Sequence, residues 1–298
     1  GDGPLHRNQP ATDYNHNQDM LAIAMIRCWY DYWRERPGTG RRVSSGGAKI
    51  IFSDTNTHHR GEENYRRSGV TDPMRIEKDA FFAHQVMWNG WVDTEEDNTY
   101  IIGHWNYPAN TVKPVYVVST GEEVELFLNG KSLGTKERSD FMEHNIVMWK
   151  VAYKEGTLLA VGKDGDIILS KDTLSTSGKP CRLALNCDRK TATDNGYDLI
   201  HVEVSIEDKE GNTVVDIPSD VRIILDDKLE LAGLDNGSPS IEDLNINVIN
   251  NSVRTYNGKC LFVLRTIRGK KGTSFVKVVG DGGIQGRCKI LISHPISH

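Results

Sequence analysis

The chain has 298 residues, 38% hydrophobic and 26% charged, which supplies a sizeable core for about two domains and excludes intrinsic disorder. A net charge of −5, with 36 Lys and Arg scattered along the chain, leaves little electrostatic drive toward nucleic acid. No apolar run approaches the ~18 residues of a membrane span, and the opening GDGPLHRNQP has neither the basic start nor the apolar stretch of a signal peptide, so a soluble chain, mature or truncated, is expected.

In chain order, the first pattern is helical. Leu21, Met25, Cys28, Trp29, Tyr32 and Trp33 form an amphipathic stripe over residues 17–35, stopped by Pro37-Gly38. Gly46-Gly47 then leads into a short β-branched and aromatic run, Ala48 to Ser53, apolar on both faces as in a buried parallel strand. A polar loop from Asp54 to about Asp72 follows. Asp72-Pro73 suits the cap of a turn or helix start, and a helix is expected from about Arg75 to Trp88, with Phe82 above Val86, Phe81 above Trp88 and Gly90 as its stop. Helix, strand, loop and helix make the tail of an α/β unit. About 96 residues with one strand cannot complete a parallel sheet, so the missing strands are expected upstream of residue 1 or in another chain.

From Tyr100 the period switches to two. Val124, Leu126 and Leu128 alternate with Glu125, Phe127 and Asn129, and Asn129-Gly130 supplies a tight hairpin turn before Lys131 to Gly134. This first β domain is expected to close near Gly178. A second series begins with Ile200, Val202, Val204 and Ile206 facing one way, then a turn at Asp208 to Asn212. Val221 to Leu225, Cys260 to Leu264 and Phe275 to Val279 repeat the pattern, with turns at Asp235 to Pro239 and Asn257-Gly258. Three parts result: 1–96, 97–178 and 179–298. With no long Gly, Ser or Pro linker between them, a fixed packing is expected.

Five cysteines, an odd number without CxxC or Cys/His spacing, offer no zinc site and no disulfide scaffold. Cys181 and Cys187 are near enough in sequence to pair in an oxidising compartment, although buried free thiols are the commoner fate. Gly280 to Gly286 is rich in glycine but has no helix behind it, so it reads as a turn and not a phosphate loop. No GxSxG, HExxH or Walker motif occurs.

The segment with most chemistry runs from Ser53 to Arg67, directly after the short strand. In parallel α/β folds, loops at the carboxyl ends of strands converge on one mouth, which would present Asp54, Asn56, His58, His59 and Arg60 to a ligand. A solvated loop held by its own salt bridges is the bland alternative. Its length favours function. Sequence neighbours usually point apart, so Glu62 and Glu63 are expected to make a poor carboxylate pair, and His58-His59 lacks a third metal ligand at a recognised spacing.

Taken together, GGAKIIFSDTNTHHRG, RRSG, KDAFFAHQVMW, IIGHWNY, VYVVSTGEEVELFLNGKSLG, GTLLAVGKDG, DTLSTSGKP, GLDNGSPS and YNGKCLFVLR resemble the C-terminal half of bacterial glycoside hydrolase family 2 proteins, the β-galactosidase-like group. The resemblance implies a multidomain chain: a partial α/β remnant of a TIM barrel, the end of its (β/α)8 ring, over 1–96, followed by two all-β immunoglobulin-like sandwiches. It also implies a retaining exo-glycosidase as the parent, whose two catalytic glutamates lie on earlier barrel strands before residue 1, so that this chain holds no catalytic residue and is inactive alone. Carried over residue by residue, Asp54 and Asn56 fall at the end of the last barrel strand, and His58, His59, Arg60, Asn64 and Tyr65 on the loop beyond, as substrate-binding candidates. The tryptophans that follow the double glycine in better-known β-galactosidases are replaced here by Ile50 to Ser53, which leaves the sugar open. No cofactor and no metal is implied. The partner is a carbohydrate, with self-association or association with the missing catalytic part, and the setting is periplasmic or secreted in a bacterium. The alternative is a carbohydrate-binding or structural accessory module, with Trp105, Tyr107 or Tyr153 stacking on a polysaccharide.

Overall fold

The computed structural model describes residues 22–27, 52–55, 69–90, 96–137, 146–238 and 245–295. The chain divides into two units, Gly1–Thr176 and Ser177–His298, and strands dominate the described residues of both.

In the first unit, residues 22–27 are helical, with Ala22, Ile23, Met25 and Ile26 buried. The inward face therefore includes Ile23 and Ile26, which the expected stripe omits; the rest of that stripe lies outside the described residues. Helix α1 spans Asp79–Asn89 and starts four residues later than its apolar pattern suggests. Asp72 is the reason: its carboxylate accepts the N–H groups of Met74 (2.8 Å) and Ile76 (2.9 Å), closing a turn through Arg75, whose φ is +72°. The buried side of α1 is Ala80, Ala83, Val86 and Met87, whereas Trp88, expected to pack beneath Phe81, is 54% exposed.

Seven strands follow: β1 (Thr99–Ile102), β2 (Val112–Ser119), β3 (Glu123–Leu128), β4 (Lys131–Glu137), β5 (Ile146–Ala152), β6 (Thr157–Asp164) and β7 (Ile167–Ser175). They form two antiparallel sheets, ordered β1-β2-β5 and β4-β3-β6-β7. Period two decides the packing: Val115, Val117, Val147 and Trp149 of one sheet meet Val124, Leu126, Leu158 and Ala160 of the other in one buried core. The opposite face of the three-stranded sheet is covered as well. Ile102, Val118 and Ile146 pack on Ile23, Ile26, Ala83 and Val86, and the Tyr100 hydroxyl donates to Asp79 Oδ1 at 2.6 Å. Cover on both faces explains the apolar run from Val115 to Val118 in β2, where simple alternation would expose every second side chain. At the edge of that sheet, the Ile101 N–H donates to Asp172 Oδ2 of β7 (2.7 Å), a side-chain acceptor reaching across from the other sheet.

The second unit has strands β8 (Arg182–Cys187), β9 (Thr191–Thr193), β10 (Leu199–Glu207), β11 (Asp220–Ile224), β12 (Leu229–Asp235), β13 (Ile246–Asn247), β14 (Ser252–Arg254), β15 (Lys259–Thr266), β16 (Gly272–Val279) and β17 (Gln285–Ser293). A four-stranded sheet, β12-β15-β10-β8, and a six-stranded sheet, β13-β14-β11-β16-β17-β9, enclose one core. Ile200, Val202, Val204 and Ile206, expected on one face of β10, are all fully buried there with Phe262, Leu264, Val276 and Val278. The short β9 joins β17 in parallel; the other described pairings of this unit are antiparallel.

The turn at Asp208 is fixed by its carboxylate, which accepts the N–H groups of Gly178 (2.7 Å), Glu210 (3.0 Å) and Asn212 (2.8 Å) and the Asn212 amide (3.0 Å). Burial alone would raise its pKa, but these donors outweigh burial and hold it at about 2. A depressed carboxyl stabilises the fold above its ordinary value of 3.8, and that contribution is lost as pH falls toward about 2. Asp208→Ala is expected to cost about 2–3 kcal/mol at neutral pH, with the deficit shrinking in acid, as read from urea midpoints followed by circular dichroism.

Candidate functional site

The loop expected to carry ligand-binding groups leaves the chain after Thr55 and returns at Gly69. Its base is described, and it is a clamp built on Asp54. The Asp54 N–H donates to Thr71 O (2.9 Å), the Val70 and Thr71 N–H groups converge on Phe52 O (2.8 and 3.1 Å), and Ser53 forms a parallel bridge with Thr71. The Asp54 carboxylate closes the circuit: Oδ1 accepts the Gly69 N–H at 2.8 Å, and Lys78 Nζ reaches Oδ1 at 3.0 Å and Oδ2 at 2.9 Å. Lys78 is 1% exposed and sits one residue before α1, with its own N–H bound to Val70 O (3.0 Å). Thus the residue before the loop, the residues after it and the start of the helix are tied to one carboxylate.

Burial pushes the Asp54 carboxyl up from its ordinary value, opposed by the Lys78 charge and hydrogen bond and by the Gly69 N–H. Its oxygens are taken up by protein donors, so its chemistry is to hold the two loop ends together. The expected strand over Ala48–Ser53 enters the described residues only at Phe52 and Ser53. Phe52 is 51% exposed, and the described pairing of this segment is the bridge of Ser53 with Thr71; Ala48 to Ile51 lie outside the described residues. Asn56, His58, His59, Arg60, Asn64 and Tyr65, with Glu62 and Glu63, lie outside the described residues. Lys78 is the participant that sequence reasoning missed. It stands in KDAFF, where a lysine before a helix reads as a solvated charge, and nothing local to it signals a partner 24 residues earlier.

Of the aromatic residues expected to stack on polysaccharide, Trp105 is buried, whereas Tyr107 and Tyr153 are half-buried. Trp105 is 1% exposed, and its indole N–H donates to Lys154 O at 3.0 Å. Tyr153 and Tyr107 meet it edge-on at centroid distances of 5.2 and 6.0 Å, and all three pack on the core of the first sandwich. Tyr107 also stacks on His104 at a centroid distance of 4.6 Å and carries Lys113 Nζ over its ring at 5.4 Å. Among the described residues, no group of three or more His, Cys, Asp or Glu is placed to hold a metal ion, and no helix is long and apolar enough to cross a membrane.

Comparison with known proteins bears on both units. Residues 183–287 match the family described as glycoside hydrolase family 2 C-terminal domain 5, and residues 110–169 match a domain of unknown function, DUF4982. The chain is 29% identical over 224 residues to the beta-galactosidase BoGH2A of Bacteroides ovatus, covering 74% of this chain and 25% of that protein. It is 31% identical over 214 residues to a beta-glucuronidase of Formosa agariphila, covering 69% of this chain and 20% of that one. Among solved structures, a beta-glucuronidase from glycoside hydrolase family 2 superposes with a TM-score of 0.76 at 25% identity, over 98% of this chain and 29% of its own. A beta-glycosidase from Bacteroides vulgatus gives 0.71 at 25% identity, over 81% and 30%. The chain therefore spans about a quarter of the length of the curated relatives it matches.

Proposed function

Because the chain belongs to glycoside hydrolase family 2 and matches its C-terminal domain 5, we propose that it is the C-terminal part of a retaining exo-glycosidase that removes terminal sugars from oligo- or polysaccharides. The observation that carries this reading is the superposition over 98% of the chain on less than a third of a family member. Residues 1–96 then close a (β/α)8 barrel, and the two β domains that follow it in sequence are immunoglobulin-like modules. The parent reaction uses one carboxylic acid to protonate the leaving oxygen and a second carboxylate, ~5 to 5.5 Å away, to attack the anomeric carbon. Both glutamates belong to barrel strands outside this chain.

The chain's own share is one wall of the sugar site. Asn56, His58, His59, Arg60, Asn64 and Tyr65 contact the sugar, and Asp54, spent on Gly69 and Lys78, is the positioning residue that sets the base of their loop. Positioning matters here because a misplacement of about 1 Å remote from the reacting atoms can cost ~100-fold in rate. Export to the periplasm or cell surface, and association with the catalytic part, go with this reading.

The test uses the 298-residue chain by itself on 4-nitrophenyl β-galactoside and β-glucuronide. No turnover is expected. Hydrolysis that disappears in Glu62→Gln or Glu63→Gln would overturn the reading, since it would place the reactive acids inside this chain.

A further inference from the structure

Cys187 ends β8 and Cys288 lies in β17, strands of different sheets, and their Sγ atoms are 2.9 Å apart. That is closer than the ~3.5–4.0 Å at which even carbon atoms rest in contact. The approach is built into the backbone. A Cβ on Gly286 would fall 2.0 Å from Leu183 O and 2.5 Å from Leu185 Cδ1, so only glycine lets β17 lie this close on β8, two residues before Cys288. Cys181, the partner that sequence proximity suggests for Cys187, is exposed, and Cys260 is fully buried.

We infer that Cys187 and Cys288 are an oxidisable thiol pair, a modification site at which a small anionic disulfide such as oxidised glutathione installs a covalent stitch between the two sheets of the second unit. The pair lies in a groove of about 520 Å³ that Lys190 and Lys289 also line, giving carboxylates of the oxidant a cationic seat. Both cysteines are partly exposed there. The hydrogen bond with Cys288 holds Cys187 below the ordinary thiol value against its burial, with Lys190 helping, while the same bond and burial push Cys288 up. Attack by either sulfur first ends in the same cross-link, and the order with Cys187 first serves to show the balance.

The exchange balances. Cys187 sulfur bonds to one sulfur of the oxidant, whose disulfide breaks, and the other half leaves as a thiolate that takes up the Cys187 proton. Cys288 sulfur then attacks Cys187 sulfur, the mixed disulfide breaks, and the second half leaves with the Cys288 proton. Two protein thiols are oxidised by two electrons, and the oxidant is reduced to two thiols.

The experiment incubates the folded 298-residue chain with oxidised glutathione, blocks remaining thiols, and maps non-reduced peptides by mass spectrometry. The expected result is a cross-linked Cys187–Cys288 peptide two hydrogen masses lighter than its parts, with Cys260 still a thiol. Because the bond would span 101 positions of sequence, the thermal midpoint of the second unit is expected to rise by roughly 10 °C or more on oxidation. In Cys288→Ser the reaction stops halfway and glutathione stays on Cys187. A Cys181–Cys187 bond, glutathione persisting on Cys187 in the unaltered chain, or no cross-link at all overturns the inference, and the mapping of the unaltered chain decides it even where the variant fails to fold.

Discussion

Lys78→Met is expected to destabilise the first unit by about 3–5 kcal/mol, the cost of leaving a buried charge without its partner. Asp54 is 5% exposed and Lys78 1%, so water cannot take the place of the lost ammonium. The loss should depend on pH with a definite sign. Without Lys78 the Asp54 carboxyl, already raised by burial, rises further, and the native state then binds its proton more tightly than the unfolded chain does. Stability of the variant therefore falls as pH climbs from the ordinary carboxylate value of 3.8 through the raised native one, and the deficit is smallest in acid. Asp54→Asn added to Lys78→Met should recover most of the loss, because the amide oxygen still accepts the Gly69 N–H while no charge remains to bury. All six tryptophans precede residue 177, so tryptophan fluorescence in urea follows this unit alone. An unchanged midpoint in Lys78→Met would mean that the pair does not hold the loop base. If the loop lines the parent's sugar site, Lys78→Met in the parent enzyme should cost activity as well.

The β units were legible because their physics is local. Val124, Leu126 and Leu128 point inward, as alternation requires, and Asn129-Gly130 turns the chain with φ of +52° and +77°. The same logic placed β10, β11, β15 and β16. What escaped was decided by partners distant in sequence. The parallel join of the three-residue β9 to β17 has no periodic signature, and Cys187 meets a cysteine 101 residues on, not the one six residues before it. A lysine with 1% exposure runs against the pattern by which lysine is read, so the clamp was invisible until α1 and the loop base were seen together. Trp105 failed as a surface residue for the opposite reason. Aromatic side chains near a sandwich edge carry no mark of which face they take, and the apolar face won.

Gly258→Ala should cost more than Gly130→Ala, although both glycines close Asn-Gly hairpin turns with almost the same backbone. Asn257 and Gly258 have φ of +48° and +78°, and Asn129 and Gly130 of +52° and +77°. The left-handed penalty, about 1 kcal/mol for alanine, is therefore common to both. Space separates them. A Cβ at Gly130 meets nothing within 4 Å, whereas one at Gly258 falls 2.4 Å from Val214 O and 3.1 Å from Thr213 Cγ2. Val214 cannot retreat: it is fully buried, and its N–H donates to Ile206 O (2.9 Å) while the Ile206 N–H donates to Gly258 O (2.8 Å). Relief requires moving a backbone carbonyl and breaking part of that ladder, so the total for Gly258→Ala is expected at about 3 kcal/mol or more, against ~1 for Gly130→Ala. Urea midpoints by circular dichroism for Gly258→Ala and by tryptophan fluorescence for Gly130→Ala compare the two in one chain. Equal losses would mean that turn dihedrals alone set the cost and that the contact with Val214 yields freely.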